Sequence, residues 1–141
     1  MKKTYFDFLR ETFASEDITP EDIYLLNIVY FYNLLCALLG SDLLPDDKNK
    51  VNAALAYLVS PLDAFPEDVY GIRGYADDLF VMCIVLKYFY RTYPKIVRKL
   101  WSNDDEDVEE LLGKCYSKSK EFLDKNGILD KTLKYAGLED V

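Results

Sequence analysis

The chain of 141 residues contains no histidine. Histidine is the side chain whose unperturbed pKa lies closest to neutral pH, so its absence removes histidine acid–base catalysis and the Ser-His and Cys-His nucleophile pairs. The sequence also lacks a GxGxxG motif, a P-loop and any zinc-binding spacing. These absences favour a protein that is not an enzyme and holds no cofactor, although they do not exclude catalysis by carboxylates.

Basic residues are also in deficit, because 17 Lys and Arg stand against 25 Asp and Glu, for a net charge of −8. An acidic protein is repelled by the phosphate backbone of nucleic acid, which favours a strongly basic surface. We therefore expect no nucleic-acid partner, unless a local basic patch overrides the overall charge.

Cysteine is scarce and scattered, since Cys36, Cys83 and Cys115 lie far apart and form no CxxC pair. An odd number of isolated cysteines is typical of a reducing compartment. Cys36 and Cys83 lie inside apolar runs, where a free cysteine behaves as a small buried hydrophobe. The N-terminus shows neither a long apolar core nor a small-residue cleavage site. We expect no signal peptide and a cytoplasmic protein, at most peripheral to a membrane.

What the sequence does contain is typical of a packed helical domain. Half of the residues are apolar, and the chain includes twelve Tyr and eight Phe, enough for a substantial core. Helical spacing and helix-boundary signals predict helices at residues 3–14, 23–40, 45–60, 76–91 and 129–136. Two further helices are predicted, one that restarts at Pro94 and one that begins within Ser102–Asp105 and ends at residue 125. No segment alternates as a strand does. The sequence therefore predicts a compact all-α bundle of about five to seven helices in a single domain, residues 1–141.

The uncharged run from Ile23 to Gly40 allows two interpretations. Its eighteen residues approach the length of a membrane-spanning helix. However, Asn27 and Asn33 interrupt the run, tyrosines add hydroxyl groups, and no basic residue flanks it closely. We therefore favour a buried central helix of the bundle over a membrane span.

An acidic loop separates two apolar helices at residues 60–80, with the sequence SPLDAFPEDVYGIRGYADDLF. Its carboxylates are Asp63, Glu67, Asp68, Asp77 and Asp78. The interpretation that we prefer is structural: Asp63 caps a short turn, and Asp77 or Asp78 caps the helix that begins at Leu79. The prolines and glycines of the loop would fix its turns.

The same five carboxylates support an alternative, because hard oxygen ligands from two helix ends suit Mg²⁺ or Ca²⁺. In that case Asp63, Asp77 and Asp78 are ligands, and Glu67 or Asp68 completes the shell. Two carboxylates could also hydrolyse a sugar or phosphate ester. Arg73 is the only nearby basic residue for an anionic substrate, and we expect it to pair with one of the acids. We therefore assign no catalytic residue.

The stretch AYLVSPLDAFPEDVYGIRGYADDLFVM resembles the signature of the DUF1232 family, also called YkvA-like. The matching positions are Tyr57, Ser60, Pro61, Asp63, Pro66, Gly74, Asp77 and Asp78. The family usually places Asp directly after the second Pro, where this chain has Glu67 followed by Asp68. The resemblance covers a core at about 50–90. It implies a mostly helical protein of unknown function, whose apolar helices often make members look membrane-associated, and it supplies no reaction and no cofactor.

Cations and aromatic residues are interleaved in the last part of this core and just beyond it. The cations are Lys87, Arg91, Lys95, Arg98 and Lys99, interleaved with Tyr88, Tyr90, Tyr93 and Trp101. The simplest interpretation is that cations belong at a helix C-terminus and that the acidic run 104–110 neutralises them. Such a face could instead contact an anionic membrane surface or a protein partner, and single-stranded nucleic acid is disfavoured by the net charge.

The sequence thus predicts a non-enzymatic helical interaction or scaffold domain that associates with a protein partner or a membrane surface. The alternative is a divalent-metal domain, for Mg²⁺ or Ca²⁺, at the acidic loop, which could extend to hydrolase activity.

Overall fold

The computed structural model describes residues 18–59 and 71–137, together with Asp7, Glu11 and Ala14, which are helical. Within the two ranges there are six α-helices, two short 3₁₀ helices and no strand. The α-helices are α1 (Ile28–Leu39), α2 (Pro45–Val59), α3 (Ala76–Thr92), α4 (Pro94–Leu100), α5 (Val108–Lys125) and α6 (Leu129–Ala136). The prediction of a compact all-α fold is confirmed.

The centre of the fold is α3, which contacts each of the other five α-helices. Its residues 76–83 are all buried, and Val85, Leu86 and Phe89 continue the buried surface. A helix that is apolar on most sides must be covered on most sides, which is why the other helices pack around it. α1, which is also strongly apolar, lies against α3.

The apolar run 23–40 folds as a 3₁₀ helix, Ile23–Asn27, followed by α1. One face of α1 is buried, with Phe31 fully inaccessible, whereas Tyr30 is 41% exposed and Cys36 is exposed. The run is therefore covered on one side and is not the central helix, and the expectation that Cys36 is buried is wrong. In the part of the chain that the structure describes, no helix combines the length and apolarity needed to cross a membrane.

The start of α2 and its apolar stripe follow the sequence pattern. α2 begins at Pro45 and buries Val51, Ala54 and Leu58. Leu55, which the pattern also places on the buried side, is only partly covered. The one-turn spacing of the three buried residues places them on one face of α2, a helix that contacts both α3 and α1.

Proline and glycine mark helix ends where the sequence predicts them. α3 ends at Thr92, and Pro94 is the first residue of α4, so the predicted restart is confirmed. α5 ends at Lys125 and is followed by Gly127, and α6 is followed by Gly137. Both glycines have φ near +70°, the left-handed conformation that glycine adopts without a side-chain clash.

The start of α5 differs from the prediction. The helix begins at Val108 with Asp107 as its N-cap, and not within Ser102–Asp105. The Asp107 carboxylate accepts a hydrogen bond from the backbone N–H of Glu110 at 3.0 Å. Ser102, Asn103, Asp104 and Asp105 are residues of similar capping ability just before Asp107, so local preference alone does not select the cap.

The buried apolar residues of the described ranges form one cluster, to which α1, α2, α3, α4 and α5 all contribute. A single cluster is the arrangement expected of one domain. The assignment of residues 1–141 to a single domain stays a prediction.

Candidate functional site

Two of the five carboxylates of the acidic loop lie in the described part of the chain, at the start of α3. Asp77 and Asp78 are 0% and 1% exposed. The Tyr57 hydroxyl donates a hydrogen bond to Oδ2 of Asp77 at 2.6 Å and so ties the end of α2 to the start of α3. Buried Gly74 lies just before them, in the 3₁₀ helix Gly71–Tyr75. Four positions of the family signature thus meet at one corner of the fold.

Neither of these carboxylates is at the N-cap position that the sequence predicts. α3 begins at Ala76 with Tyr75 as its N-cap, which confirms the predicted segment 76–91 and contradicts the start at Leu79. Asp77 and Asp78 therefore occupy the second and third positions of the first turn. Negative charge is favourable there, since the backbone N–H groups of a helix start and the helix dipole both present positive potential.

The other predicted metal ligands, Asp63, Glu67 and Asp68, lie outside the described residues, as do Ser60, Pro61 and Pro66 of the signature. Among the residues that the structure describes, no three or more His, Cys, Asp or Glu side chains are grouped so that they could hold a metal ion. The metal site at the acidic loop therefore stays a prediction.

Arg73, expected to pair with a carboxylate of the loop, pairs with Asp22 instead. Its Nε lies 3.0 Å from Oδ2 of Asp22, and this hydrogen bond holds the pKa of Arg73 above its ordinary value. The Arg73 side chain is 49% exposed, so solvent screens the pair and its contribution to stability is small. The pair connects Gly71–Tyr75 to the residue that precedes Ile23–Asn27.

A buried carboxylate that the sequence analysis does not single out lies at the start of α2. Asp47 is 4% exposed and accepts hydrogen bonds from the hydroxyls of Tyr93 at 2.5 Å and Tyr88 at 2.7 Å. Lys50 Nζ lies 3.7 Å from Oδ1 of the same carboxylate. The bond from Tyr93 is the main cause that holds the pKa of Asp47 below its ordinary value, against the opposing effect of burial.

The chemistry of this cluster is structural. A carboxylate with a lowered pKa is ionised at neutral pH, so Asp47 has no proton to donate as a general acid. The same hydrogen bonds raise the pKa values of Tyr88 and Tyr93, so both hydroxyls keep their protons. The cluster therefore fastens α2 to the junction of α3 and α4.

The signal for Asp47 is present in the sequence, in the register of α2. Asp47 precedes Val51 by four residues and lies in phase with the buried Ala54 and Leu58. Because Asp47 lies two residues after Pro45, it can also be interpreted as an acid that only stabilises the first turn of the helix. The register shows that it faces the core, although nothing in the register identifies its tyrosine partners.

The cationic face, defined as Lys87, Arg91, Lys95, Arg98 and Lys99, lies on α3 and α4. Lys87 is half-buried and the other four are exposed. Among the described residues, no carboxylate oxygen lies within 4.0 Å of the charged nitrogens of these five side chains. No direct ion pair therefore joins these cations to the acidic run 104–110, and neutralisation by that run stays a prediction.

A groove runs along one side of this face, between α3 and α5. It has a volume of about 580 Å³ and is lined by Lys87, Tyr90, Arg91, Pro94, Glu109, Leu112 and Gly113. Lys87 Nζ lies 4.0 Å from the centroid of the Tyr116 ring, which in turn stacks on Phe80. The position of this ammonium is thus set by aromatic packing.

The acidic segment 104–107 lies beside the cationic face. Arg98 and Trp101 line a depression of about 330 Å³ together with residues 103–108. The Trp101 indole N–H donates to the carbonyl oxygen of Glu106 at 3.0 Å and holds the acidic segment next to α4. This surface is therefore bipolar, with cations on the helix and carboxylates in the segment that follows it.

The fold and the corner at Tyr57 and Asp77 define a small helical domain with carboxylates buried at a helix start. The family model described as "Protein of unknown function (DUF1232)" matches residues 50–84. The uncharacterized protein ORF9 of Methanothermobacter thermautotrophicus is 40% identical over 109 residues, which cover 75% of this chain and 72% of that protein. The chain belongs to the DUF1232 family, as its signature predicts.

Shorter stretches of the chain are similar to parts of longer proteins. E3 ubiquitin-protein ligase RNF170 of Xenopus laevis is 52% identical over 44 residues, which are 31% of this chain and 17% of that protein. RNF170 of Danio rerio is 49% identical over 47 residues, or 18% of its length. No solved structure matches this chain.

Proposed function

We propose that this chain is a non-enzymatic interaction domain that binds a protein partner through the cationic face of α3 and α4. The observation that carries the proposal is that five cations lie on two consecutive helices with no carboxylate within 4.0 Å among the described residues. Like charges one helical turn apart repel, as for Lys87 with Arg91 and for Lys95 with Lys99. An anionic partner would relieve that repulsion.

The bipolar character of the surface favours a protein over a membrane as the partner. An anionic bilayer presents one sign of charge over its whole area, so it would attract α4 and repel the segment 104–107 beside it. The net charge of −8 adds a repulsion that acts over a longer range. A protein surface can place its own positive and negative groups opposite both poles.

The similarity to short parts of longer proteins supports a domain that works by attachment to other proteins. Segments of 44 and 47 residues match within RNF170 from two vertebrates, where they occupy less than a fifth of the length. A unit that recurs as a small part of a longer chain is typical of a module. Whatever RNF170 acts on is not carried over to this chain.

The proposal places the domain in the cytoplasm. Cys36, Cys83 and Cys115 are all free thiols, and two of them are buried. Free cysteines persist in reducing compartments, whereas oxidising compartments favour disulfides. The thiol state supports a cytoplasmic location, which fractionation of cells that express the tagged chain would test.

The test is affinity capture with the immobilised protein, followed by measurement of the dissociation constant for each purified partner. The double variant Lys95→Glu/Arg98→Glu is expected to bind about tenfold more weakly than the wild type, because two attractive contacts become repulsive. Binding of the wild type should also weaken as the salt concentration rises.

The matched control is Lys131→Glu/Lys134→Glu, which makes the same change of charge on exposed positions of α6. Equal loss of binding in both double variants would show a general charge effect and contradict the proposed face. Co-sedimentation of the wild type, but not of the α4 variant, with phosphatidylserine vesicles would replace the protein partner with a membrane surface.

The second candidate is a divalent-metal domain at the acidic loop, which could extend to hydrolysis. The observation in its favour is that Asp77 and Asp78 are adjacent, fully buried carboxylates at the end of the loop that carries Asp63, Glu67 and Asp68. Thermal unfolding in chelator and with added Mg²⁺ or Ca²⁺ separates this candidate from a purely structural corner.

A further inference from the structure

The groove between α3 and α5 brings three features together. It has two cations at one end of a helix, an apolar floor, and a glycine in the middle of α5. Each feature is ordinary alone. Together they form a site that offers positive charge to an anionic group, apolar surface to an apolar group, and space for a ligand backbone beside the glycine.

The cations are Lys87 and Arg91, one turn apart on α3. Side chains at i and i+4 lie on the same face of a helix, so both positive charges are presented to the same groove. Lys87 is held against the Tyr116 ring at 4.0 Å, while Arg91 is exposed. A guanidinium and an ammonium at this spacing suit the oxygens of a carboxylate.

Glu109 is the single acid that lines the groove. Interaction with the Glu109 side chain is the main cause that holds the pKa of Tyr90 above its ordinary value, so the tyrosine hydroxyl keeps its proton. The guanidinium of Arg98 donates to the same tyrosine oxygen. Glu109 makes no direct ion pair with Lys87 or Arg91, because among the described residues no carboxylate oxygen lies within 4.0 Å of the charged nitrogens of these two side chains.

Gly113 is the feature that local structure does not explain. It lies inside α5, where glycine is less favourable than alanine, and it has no left-handed conformation that would require glycine. A Cβ built at this position meets no atom within 4 Å, so no neighbouring side chain requires its absence. The space above Gly113 is part of the groove.

The floor and size of the groove limit the class of ligand. Leu112, which is buried, and Pro94 both line the groove, so part of its surface is apolar. A volume of about 580 Å³ accommodates a few residues of peptide. Lys87, Tyr90, Pro94 and Gly113 are only half-buried, so the groove is open along its length and encloses no chain of a lipid.

We infer that this groove binds a short peptide segment of a protein partner in which an acidic side chain stands next to an apolar one. The carboxylate lies between Lys87 and Arg91, the apolar side chain packs on Leu112 and Pro94, and the peptide backbone passes over Gly113. This inference rests on the proposed function, and it adds the kind of sequence that the partner presents.

The test is selection from a random peptide library displayed on phage, with the full chain immobilised. Selected peptides are expected to share an Asp or Glu beside a large aliphatic or aromatic residue. Binding of a synthetic selected peptide should weaken about tenfold in Lys87→Ala and in Arg91→Ala. Selection against Lys87→Glu/Arg91→Glu should replace the acidic residue of the consensus with a basic one.

Gly113→Ala supplies a variant whose failure to bind cannot come from unfolding. The added methyl group is expected to raise the unfolding midpoint, because alanine is the better helix former, and to weaken the peptide by about fivefold through steric overlap. The amide resonance of Gly113 in the wild type should shift when the peptide is added. Lys125→Ala is the matched control, since it lies about 18 Å further along α5, and it should bind the peptide as the wild type does.

The outcomes separate this inference from the proposed function. The inference is contradicted if no peptide is selected, or if the binding of selected peptides does not depend on Lys87, Arg91 and Gly113. The proposed function would still hold in that case if partner capture depended on Lys95 and Arg98. Peptides that bind the groove would support the inference whatever the capture experiment shows. Unchanged partner capture by Lys95→Glu/Arg98→Glu would contradict binding of the partner through α4. Binding to phosphatidylserine vesicles through Lys87 and Arg91, without peptide binding, would overturn the peptide as occupant.

Discussion

Asp47 shows how one side chain can join three helices. Its carboxylate belongs to α2, and the two hydroxyls that it accepts from lie 41 and 46 residues further along the chain, on α3 and at the start of α4. A buried carboxylate without such donors would be costly to keep ionised. With them, the ionised form is the favoured one, as the lowered pKa shows.

The first prediction is that Asp47→Asn lowers the free energy of unfolding by about 2 kcal/mol at pH 7, the value typical of hydrogen bonds to a charged group. Because the pKa of Asp47 is lowered in the folded state, its stabilisation is complete above the unfolded-state value of about 3.9. It is lost as the pH falls through the lowered folded-state pKa. The gap between wild type and variant should therefore narrow below about pH 4, as measured by urea unfolding across pH 2.5–7.

Asp46→Asn is the control for that experiment. Asp46 lies in the same first turn of α2 and carries the same charge, but it is exposed. Its substitution should change stability by a few tenths of a kcal/mol at most, from the helix dipole. Equal losses for the two variants would show that the first-turn charge matters and that the tyrosine bonds do not.

The sequence predicts which residues are buried or grouped together better than it predicts their distant hydrogen-bond partners. The register of α2 predicts that Asp47 faces the core, and the family signature predicts that Tyr57, Gly74, Asp77 and Asp78 belong together. The tyrosine partners of Asp47 and the Asp22 partner of Arg73 depend on how distant segments meet. Sequence spacing does not predict contacts between residues so far apart, because the packing of the complete core determines which distant segments meet.

At the scale of elements, helix ends fixed by one local residue are predicted well. Pro45, Pro94, Gly127 and Gly137 each act through backbone geometry that holds in any context. The start of α5 is harder, because several consecutive residues can cap. Tertiary packing decides among them: Val108 is 3% exposed, so the helix starts where its first apolar side chain reaches the core.

The second prediction tests which residue caps α5. Asp107→Ala removes the acceptor for the Glu110 N–H and should lower the free energy of unfolding by about 1 kcal/mol. Asp105→Ala removes an equal charge from an exposed residue of the predicted cap and should change stability by less than about half that value. Thermal or urea unfolding of the two variants side by side provides the measurement, and a larger loss in Asp105→Ala would restore the earlier start.

At the scale of the whole molecule, the fold brings together residues that the sequence keeps apart. The cationic face is contiguous in sequence and was predictable, whereas the groove needs Glu109, Leu112 and Gly113 of α5 beside α3. The pairing of α3 with α5 follows from the apolar circumference of α3, which must find cover on several sides. Which helix covers which side is a property of the complete core and cannot be read from one segment.

The last prediction concerns the corner of the fold where Tyr57 of α2 contacts Asp77 of α3. In a structural corner, Tyr57→Phe removes the hydrogen bond that joins α2 and α3, and Asp77→Asn weakens it by replacing the charged acceptor with a neutral amide. Each variant should lower the free energy of unfolding by about 1–3 kcal/mol. For a chain of this size that is a fall of about 3–5 °C in midpoint per kcal/mol. The two losses of stability should be less than additive in the double variant, because both substitutions act on the same bond.

The same variants decide between a structural corner and a metal site. If the corner is structural, as we expect, chelator and millimolar Mg²⁺ or Ca²⁺ give the same midpoint for the wild type and for both variants. An ion at about one hundred times its dissociation constant would instead add about 2.7 kcal/mol to the wild type. That gain should vanish in Asp77→Asn, which loses a charged ligand, and persist in Tyr57→Phe, which keeps every carboxylate. Such a pattern would overturn the structural interpretation and make Asp77 a ligand, with Asp63, Glu67, Asp68 and Asp78 the next positions to substitute.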